Sequence, residues 1–75
     1  MKSAINPTIR QFEEHLCRNG SECAVVLGLA YSTYQQYRTN RAEPSRATIY
    51  HIDVIQRLPL GRLHELVKER LHDGS

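Results

Sequence analysis

The chain has 75 residues, 40% of them apolar and 24% charged, and a formal net charge of +2. That length allows one small domain, and no apolar run approaches the roughly 18–20 residues that a membrane-spanning helix requires. It is also too short to enclose a substrate pocket of the usual kind, which argues against an enzyme. The N-terminal sequence lacks an apolar signal core, so we expect a cytoplasmic protein.

Helical periodicity predicts two short helices in the first part of the chain. Asn6 followed by proline is a favourable helix start, because asparagine can cap exposed amides and proline suits the first helical position. The first helix should end at the Asn-Gly pair that precedes Ser21. We expect Ser21 to cap a second helix, which Gly28 terminates.

Three further helices are predicted in the rest of the chain. After a very short turn, one spans about Tyr31–Thr39, with Tyr34 and Tyr37 on its inner face. Ser45 should cap the fourth helix, and a proline starts the fifth, which covers about residues 60–72. These two helices carry apolar stripes at helical spacing: Ile49, Ile52 and Ile55 in the fourth, and Leu60, Leu63, Leu66, Val67 and Leu71 in the fifth. No segment alternates usefully with period two, so the chain is predicted to be all-α.

The stretch from Gly20 to Thr39 meets the packing requirements of two helices joined by a tight turn. A small residue, Ala24, stands where the second helix faces the third, and Gly28 supplies the positive φ that the turn needs. The other requirement is for side chains that fill the angle between the helices, and five residues stand at those offsets: Cys23, Leu27, Leu29, Tyr34 and Tyr37. All seven constrained positions are therefore filled acceptably.

The sequence LGLAYSTYQQYRTNRAEPS, with the residues before it, resembles the helix-turn-helix of the Cro/repressor class of phage and bacterial regulators. The similarity covers about residues 20–46 without a gap, and the other predicted helices fall where that family has its supporting helices. The resemblance implies a compact, lambda-repressor-like five-helix domain over residues 1–75. It also implies that the third helix enters the major groove of DNA.

Three residues depart from the usual pattern of that family. Tyr34 stands where valine or isoleucine is usual, and Ala30 replaces the serine or threonine of the turn. The third helix should therefore begin without a side-chain cap. Asn40 takes the place of the loop glycine, which is tolerable because asparagine enters left-handed conformations more readily than most residues.

The excess positive charge of the chain lies within residues 31–50, where three arginines stand against one glutamate. The resemblance implies that these arginines and a serine contact phosphates, and that the outward residues of the third helix contact bases. The implied phosphate contacts are Ser21, Arg38, Arg41 and Arg46, and the implied base contacts are Tyr31, Ser32, Gln35, Gln36 and Thr39. Because glutamine bonds adenine bidentately and no arginine starts the helix, we expect A·T pairs in the site.

The apolar stripe of the fifth helix admits two interpretations. It closes the core over the first and fourth helices, or it contributes to a symmetric dimer that places two recognition helices about 34 Å apart on DNA. We favour a homodimer, with an interface formed by Ile55, Leu60, Leu63, Leu66 and Val67. We expect no cofactor and no small-molecule effector.

Three residues have the side-chain types of a zinc site without its arrangement. The spacing of His15, Cys17 and Cys23 matches no structural zinc pattern, and Cys23 is needed as a core residue. The two cysteines also lie within helical patterns, and a disulfide is disfavoured in a reducing compartment. We therefore expect two free, buried thiols and no metal site.

Two functions from different classes fit these observations. The first is a sequence-specific DNA-binding transcriptional regulator, a phage or prophage repressor of the Cro type that occupies an operator and blocks polymerase. The alternative is a phage-encoded protein that uses the same fold to bind and inhibit a host protein. The low net charge, the missing cap at Ala30 and the tyrosines of the third helix motivate this alternative, because tyrosines are common anchors of protein interfaces.

Overall fold

A computed structural model, which describes residues 5–73, shows five α-helices joined by short connections. The helices are α1 (Pro7–Leu16), α2 (Gly20–Leu27), α3 (Tyr31–Arg38), α4 (Arg46–Gln56) and α5 (Leu60–Asp73). No strand occurs among the described residues, so the prediction of an all-α fold with five helices is confirmed. None of the described helices is long and apolar enough to cross a membrane.

Most helix ends are set by the residues that the sequence analysis predicts. The Asn6 side chain accepts a hydrogen bond at 2.9 Å from a main-chain N–H in the first turn of α1, and the Ser45 hydroxyl accepts one at 3.2 Å in the first turn of α4. Gly28 ends α2 with a φ of 73°, and Asn40 follows α3 with a φ of 63°. Glycine and asparagine adopt this left-handed conformation at lower cost than other residues.

The start of α2 differs from the prediction that Ser21 caps it. The helix begins at Gly20, and the side chain of Asn19 accepts the capping hydrogen bond at 2.9 Å. A Cβ atom on Gly20 would lie 3.3 Å from both Glu13 Oε2 and Tyr34 Cε2. This close approach of α1 and α3 favours glycine as the first residue of α2 and leaves the capping position to the residue before it.

The core is centred on α2, which packs against all four of the other helices. The residues expected to fill the angle between α2 and α3 lie at this centre. Cys23, Ala24, Leu27 and Tyr34 are buried, Leu29 and Tyr37 pack partly buried against the core, and Gly28 forms the turn. The seven positions singled out by spacing therefore have the predicted burial and backbone conformation.

The prediction for the apolar stripe of α4 is wrong by one residue at the start of the helix. Ile52 and Ile55 are buried as expected, whereas Ile49 is 43% exposed. The buried face is completed by Thr48, four residues before Ile52, whose hydroxyl shares a 2.9 Å hydrogen bond with that of Ser45. Ile49 lies about 100° further round the helix and therefore points away from the core.

The two cysteines differ in a way that contradicts one expectation. Both thiols are free, but only Cys23 is buried, and Cys17 is exposed. α1 ends at Cys17, which has a left-handed conformation with a φ of 56°, and not at the predicted Asn-Gly pair, which begins α2 instead.

The predicted dimer interface is largely inside the monomer. Ile55, Leu63 and Val67 are 5% exposed or less, so these side chains close the core and offer almost no surface to a second copy. Leu66 is partly buried, and only Leu60, at 66%, is well exposed. The apolar stripe of α5 therefore closes the core, but it packs mainly against α2 and not over α1 and α4 as expected, and these three buried residues are not an interface.

Candidate nucleic-acid interface

The outer face of α3 carries all the residues that were expected to contact bases. Tyr31, Ser32 and Gln36 are exposed, Gln35 is half-buried, and Thr39 is exposed directly after the last residue of the helix. The Thr39 hydroxyl donates to the main-chain oxygen of Gln35 at 2.7 Å. Within residues 5–73 the other four side chains form no hydrogen bond. Their polar groups are therefore available to a ligand.

The inner face of α3 is fixed to α1 through one carboxylate. Tyr34 is fully buried, and its hydroxyl donates to Glu13 Oε2 at 2.6 Å. The guanidinium of Arg38 donates to the same carboxylate, at 2.9 Å from Nε to Oε2 and 3.4 Å from Nη2 to Oε1. Glu13 thus accepts hydrogen bonds from two residues one turn apart on α3, which sets both the position and the rotation of that helix.

The environment of Glu13 determines the protonation of its neighbours. Burial, with the hydrogen bond to Glu13, raises the pKa of Tyr34 far above its ordinary value, so the hydroxyl keeps its proton and donates it. The hydrogen bond to Glu13 also raises the pKa of Arg38. Burial, with the negative charge of Glu13, raises the pKa of Cys23 to about 11. A protonated, buried thiol is a packing group rather than a nucleophile or metal ligand.

The segment before α1 makes a second connection to the end of α3. The main-chain N–H of Asn6 donates to the oxygen of Arg38 at 2.8 Å, and Asn6 Nδ2 donates to Asn40 Oδ1 at 3.3 Å. The Arg38 oxygen is one of the helix-terminal carbonyls that lack an intrahelical partner, so this contact satisfies it. At the other end, Ala30 makes no side-chain capping bond, as its residue type predicts.

The arginines near α3 fall into two groups. Arg41 and Arg46 are exposed, and neither forms an ion pair in the part of the chain that the structure describes. The main-chain N–H of Arg41 donates to the oxygen of Gln36 at 2.8 Å, which holds this arginine beside the outer face of α3. The Arg38 side chain is instead paired with Glu13 and only 30% exposed. Sequence reasoning missed this pair because the partners are 25 positions apart.

Ser21, the remaining residue expected at a phosphate, is exposed in the first turn of α2. It lies next to the cap that Asn19 provides, so it is not needed to satisfy the helix terminus. The structure therefore leaves Ser21 accessible at the start of α2, Arg41 accessible after α3 and Arg46 accessible at the start of α4, and it engages Arg38 within the fold.

A further contact, without any signal in the sequence, fixes the end of α2. Arg70 Nη1 of α5 donates to the main-chain oxygen of Val26 at 2.6 Å and lies 3.4 Å from His51 Nε2 of α4. A cation at the C-terminus of a helix satisfies an open carbonyl and is favoured by the helix dipole. Burial, with the charge of Arg70, lowers the pKa of His51, so the imidazole is neutral and can accept from the guanidinium.

Among residues 5–73 no group of three or more His, Cys, Asp or Glu side chains is placed to hold a metal ion. Comparison of the chain with protein-family models, with curated proteins and with solved structures finds no match. Support for a function therefore comes from the geometry of α3 and from the charged side chains beside it.

Proposed function

We propose that this protein is a sequence-specific DNA-binding transcriptional regulator that places α3 in the major groove, as its resemblance to the Cro/repressor class implies. The observation that carries the proposal is the division of α3 into two faces. One face is fixed to α1 through Glu13, and the other presents polar side chains that form no hydrogen bond with the described part of the chain. The major groove admits one α-helix and presents hydrogen-bond donors and acceptors to such a face.

The exposed side chains suit different parts of this task. Gln35 and Gln36 can each bond adenine N6 and N7, and Ser32 can donate to or accept from several base edges. Tyr31 can reach a phosphate or contact a thymine methyl group. Thr39 lies at the far end of the same face. This combination favours an operator in which A·T pairs are read directly.

The basic residues divide between contact and positioning. Arg41 and Arg46 are assigned to phosphates, with Ser21 as a further contact from α2. Arg38 is assigned a positioning role, because its guanidinium holds α3 against Glu13 and would have to give up that pair to reach a phosphate.

The regulator would act as a repressor of the Cro type, by occupying an operator and blocking polymerase. A homodimer would place two copies of α3 about 34 Å apart, so that both reach one face of DNA. Because most of the predicted interface is buried, the apolar surface for a second copy is the exposed face of α4: Ile49, Tyr50 and Val54. Sedimentation of a Val54→Ser variant tests this arrangement.

The main test is selection of binding sites from a library of random DNA duplexes, followed by affinity measurements on the selected site. Gln36→Ala and Gln35→Ala should each weaken specific binding by about 1–3 kcal/mol, roughly 5- to 150-fold. The circular dichroism of the variants should not change. Gln11→Ala, on the exposed side of α1, is the matched control and should leave affinity unchanged. Failure to enrich any sequence, or equal affinities for all the variants, would refute the proposal.

The second candidate is a protein that uses this fold to bind and inhibit a host protein. The exposed aromatic residues favour it, since Tyr31 is 53% and Tyr50 62% exposed, and Val54 beside Tyr50 is 57% exposed. Salt discriminates between the two functions. Binding of DNA through phosphates weakens steeply as salt rises, whereas a tyrosine-centred protein interface changes much less. Absence of retardation of any DNA, including the region upstream of its own gene, would favour the second candidate.

A further inference from the structure

A groove separate from α3 runs between the end of α1 and one side of α5, with a volume of about 680 Å³. Its apolar lining includes Leu60 and Leu71, with the almost fully covered Val67 at its base, and its rim includes Arg18, His64 and Lys68. None of the residues that line it is acidic, although the chain contains 8 acidic residues. The groove thus combines an apolar lining with a rim of one charge sign.

The apolar side chains of the groove are arranged along one helix. Leu60, Val67 and Leu71 are seven and four residues apart on α5, a spacing that places them on one face. From Leu60 to Leu71 this face rises about 16 Å, or three helical turns. Leu60 is 66% exposed, the largest exposed fraction among the large apolar side chains of the described residues. Covering it would remove apolar surface from water, which favours association.

The charge of the rim comes mainly from Lys68. Lys68 forms no ion pair within residues 5–73, whereas Arg18 lies 3.7 Å from Glu22 and is partly neutralised. His15 and His64 are exposed at the same edges. A partner that complements this rim carries carboxylates on either side of an apolar stripe, because opposite charges steer association and fix register.

We propose that this groove binds an acidic amphipathic helix of a partner protein, about three turns long. Helices that lie in apolar grooves present anchors at i, i+3 or i+4, and i+7, so one face of such a helix can cover Leu60 and Leu71. The acidic residues would flank these anchors and face Lys68 and the histidines. This site lies apart from the outer face of α3, so it does not depend on DNA binding and leaves α3 accessible.

The probes are fluorescein-labelled synthetic peptides, each with leucine or phenylalanine at helical spacing and glutamate at the flanking positions. In control peptides every glutamate is replaced by lysine. Fluorescence anisotropy with the full chain should show binding of the acidic peptides about tenfold tighter than binding of their lysine counterparts. If no acidic peptide binds, or if both sets bind equally, the proposal is overturned.

Two pairs of variants locate the binding. Leu60→Ser should weaken the acidic peptides about fivefold or more, whereas Val25→Ser, at an exposed apolar residue of α2 outside the groove, should not. Lys68→Gln should weaken them, and Arg62→Gln, an exposed residue of α5 outside the groove, should not. All four positions are exposed, so the variants should fold, and circular dichroism checks this. Equal effects within a pair would overturn the proposal.

The same variants, together with Val54→Ser, distinguish two other occupants of the groove, a second copy of the chain and DNA. If sedimentation shows self-association that Leu60→Ser abolishes and Val54→Ser does not, a second copy fills the groove and the proposal is wrong. If random duplex DNA displaces the acidic peptides and Lys68→Gln weakens DNA equally, the groove belongs to a DNA surface, which also overturns it. Gln36→Ala should leave peptide binding unchanged, so a failure of the DNA proposal does not affect this result.

Discussion

The hydroxyl of Tyr34 and the carboxylate of Glu13 lie 2.6 Å apart across the contact between α3 and α1. Tyr34 is fully buried, and the side chain of Glu13 is only 14% exposed. A hydrogen bond to an ionised acceptor is shorter and stronger than one between neutral groups. Because Arg38 donates to the same carboxylate, two residues of α3 are held by one acidic residue of α1.

Removal of the Tyr34 hydroxyl should destabilise the fold. Tyr34→Phe keeps the ring but leaves a shielded carboxylate with one donor fewer, so the free energy of unfolding should fall by about 1–3 kcal/mol in urea titrations. Tyr37→Phe is the control, since the Tyr37 hydroxyl has no partner within the described residues. Its effect should stay within about 0.5 kcal/mol. Similar losses in the two variants would contradict the role assigned to the Glu13 contact.

Alanine should have opposite effects at two glycines. A Cβ atom added at Gly28 or at Gly61 would meet no atom within 4 Å, so steric clashes with neighbouring residues do not distinguish the two positions. Gly28 has a φ of 73°, and Gly28→Ala should cost about 1–2 kcal/mol because alanine disfavours that conformation. Gly61 lies in α5, and Gly61→Ala should stabilise by about 0.5 kcal/mol through helix propensity. Thermal unfolding of both variants measures the difference; a stabilised Gly28→Ala variant would exclude the turn geometry.

The salt dependence of DNA binding should distinguish the arginines. If the protein binds DNA as proposed, Arg41→Gln and Arg46→Gln should each reduce the slope of log K against log salt by about 0.9, because one phosphate contact is assigned to each arginine. Arg38→Gln should change that slope less, since its guanidinium is held by Glu13. Arg62→Gln on α5 is the charge-matched control and should leave the slope unchanged. An Arg38→Gln slope change as large as that of Arg41→Gln would show that the Glu13 pair opens on DNA.

Stability should depend on pH through His51. Burial and Arg70 lower the pKa of His51 in the folded chain below its ordinary value of 6.5, so the unfolded chain binds a proton more readily. The contribution of neutral His51 is therefore complete above pH 6.5 and is lost as the pH falls below it. The stability of the wild type relative to His51→Gln should decline between about pH 7 and pH 5, measured by urea unfolding. Above pH 7 the difference should be constant, and a constant difference throughout would refute the assignment.

Features that depend on neighbouring residues were predictable from the sequence. Asn6 and Ser45 cap the helices that follow them, and Gly28 and Asn40 adopt left-handed conformations, because each acts within one turn of its own position. The cap of α2 was wrongly assigned to Ser21, because Asn19, two residues earlier, is an equally suitable local cap and accepts the hydrogen bond instead.

Features that depend on distant contacts were not predictable. Arg38 looked like a phosphate contact because its pairing with Glu13 requires the folded chain, and the bond from Arg70 to Val26 spans 44 positions.

The prediction of the apolar stripe of α4 was wrong at Ile49 for a different reason. Residues spaced by three drift about 60° round a helix at each step, so Ile49 leaves the face that Ile55 occupies. The exposed face of α3 was predicted correctly. Buried and exposed positions on a single short helix repeat with the helical period, and that repeat can be read from the sequence.

Because one face of α3 is fixed to the rest of the fold and the other is exposed, the two faces tolerate mutations to different degrees. Tyr34 contributes to stability through its contact with Glu13, whereas the side chains of Ser32 and Gln36 form no hydrogen bond within residues 5–73. Surface substitutions away from structural contacts usually alter stability by less than about 0.5 kcal/mol. The exposed face can therefore acquire new side chains, and with them new targets, by single substitutions that leave the scaffold intact.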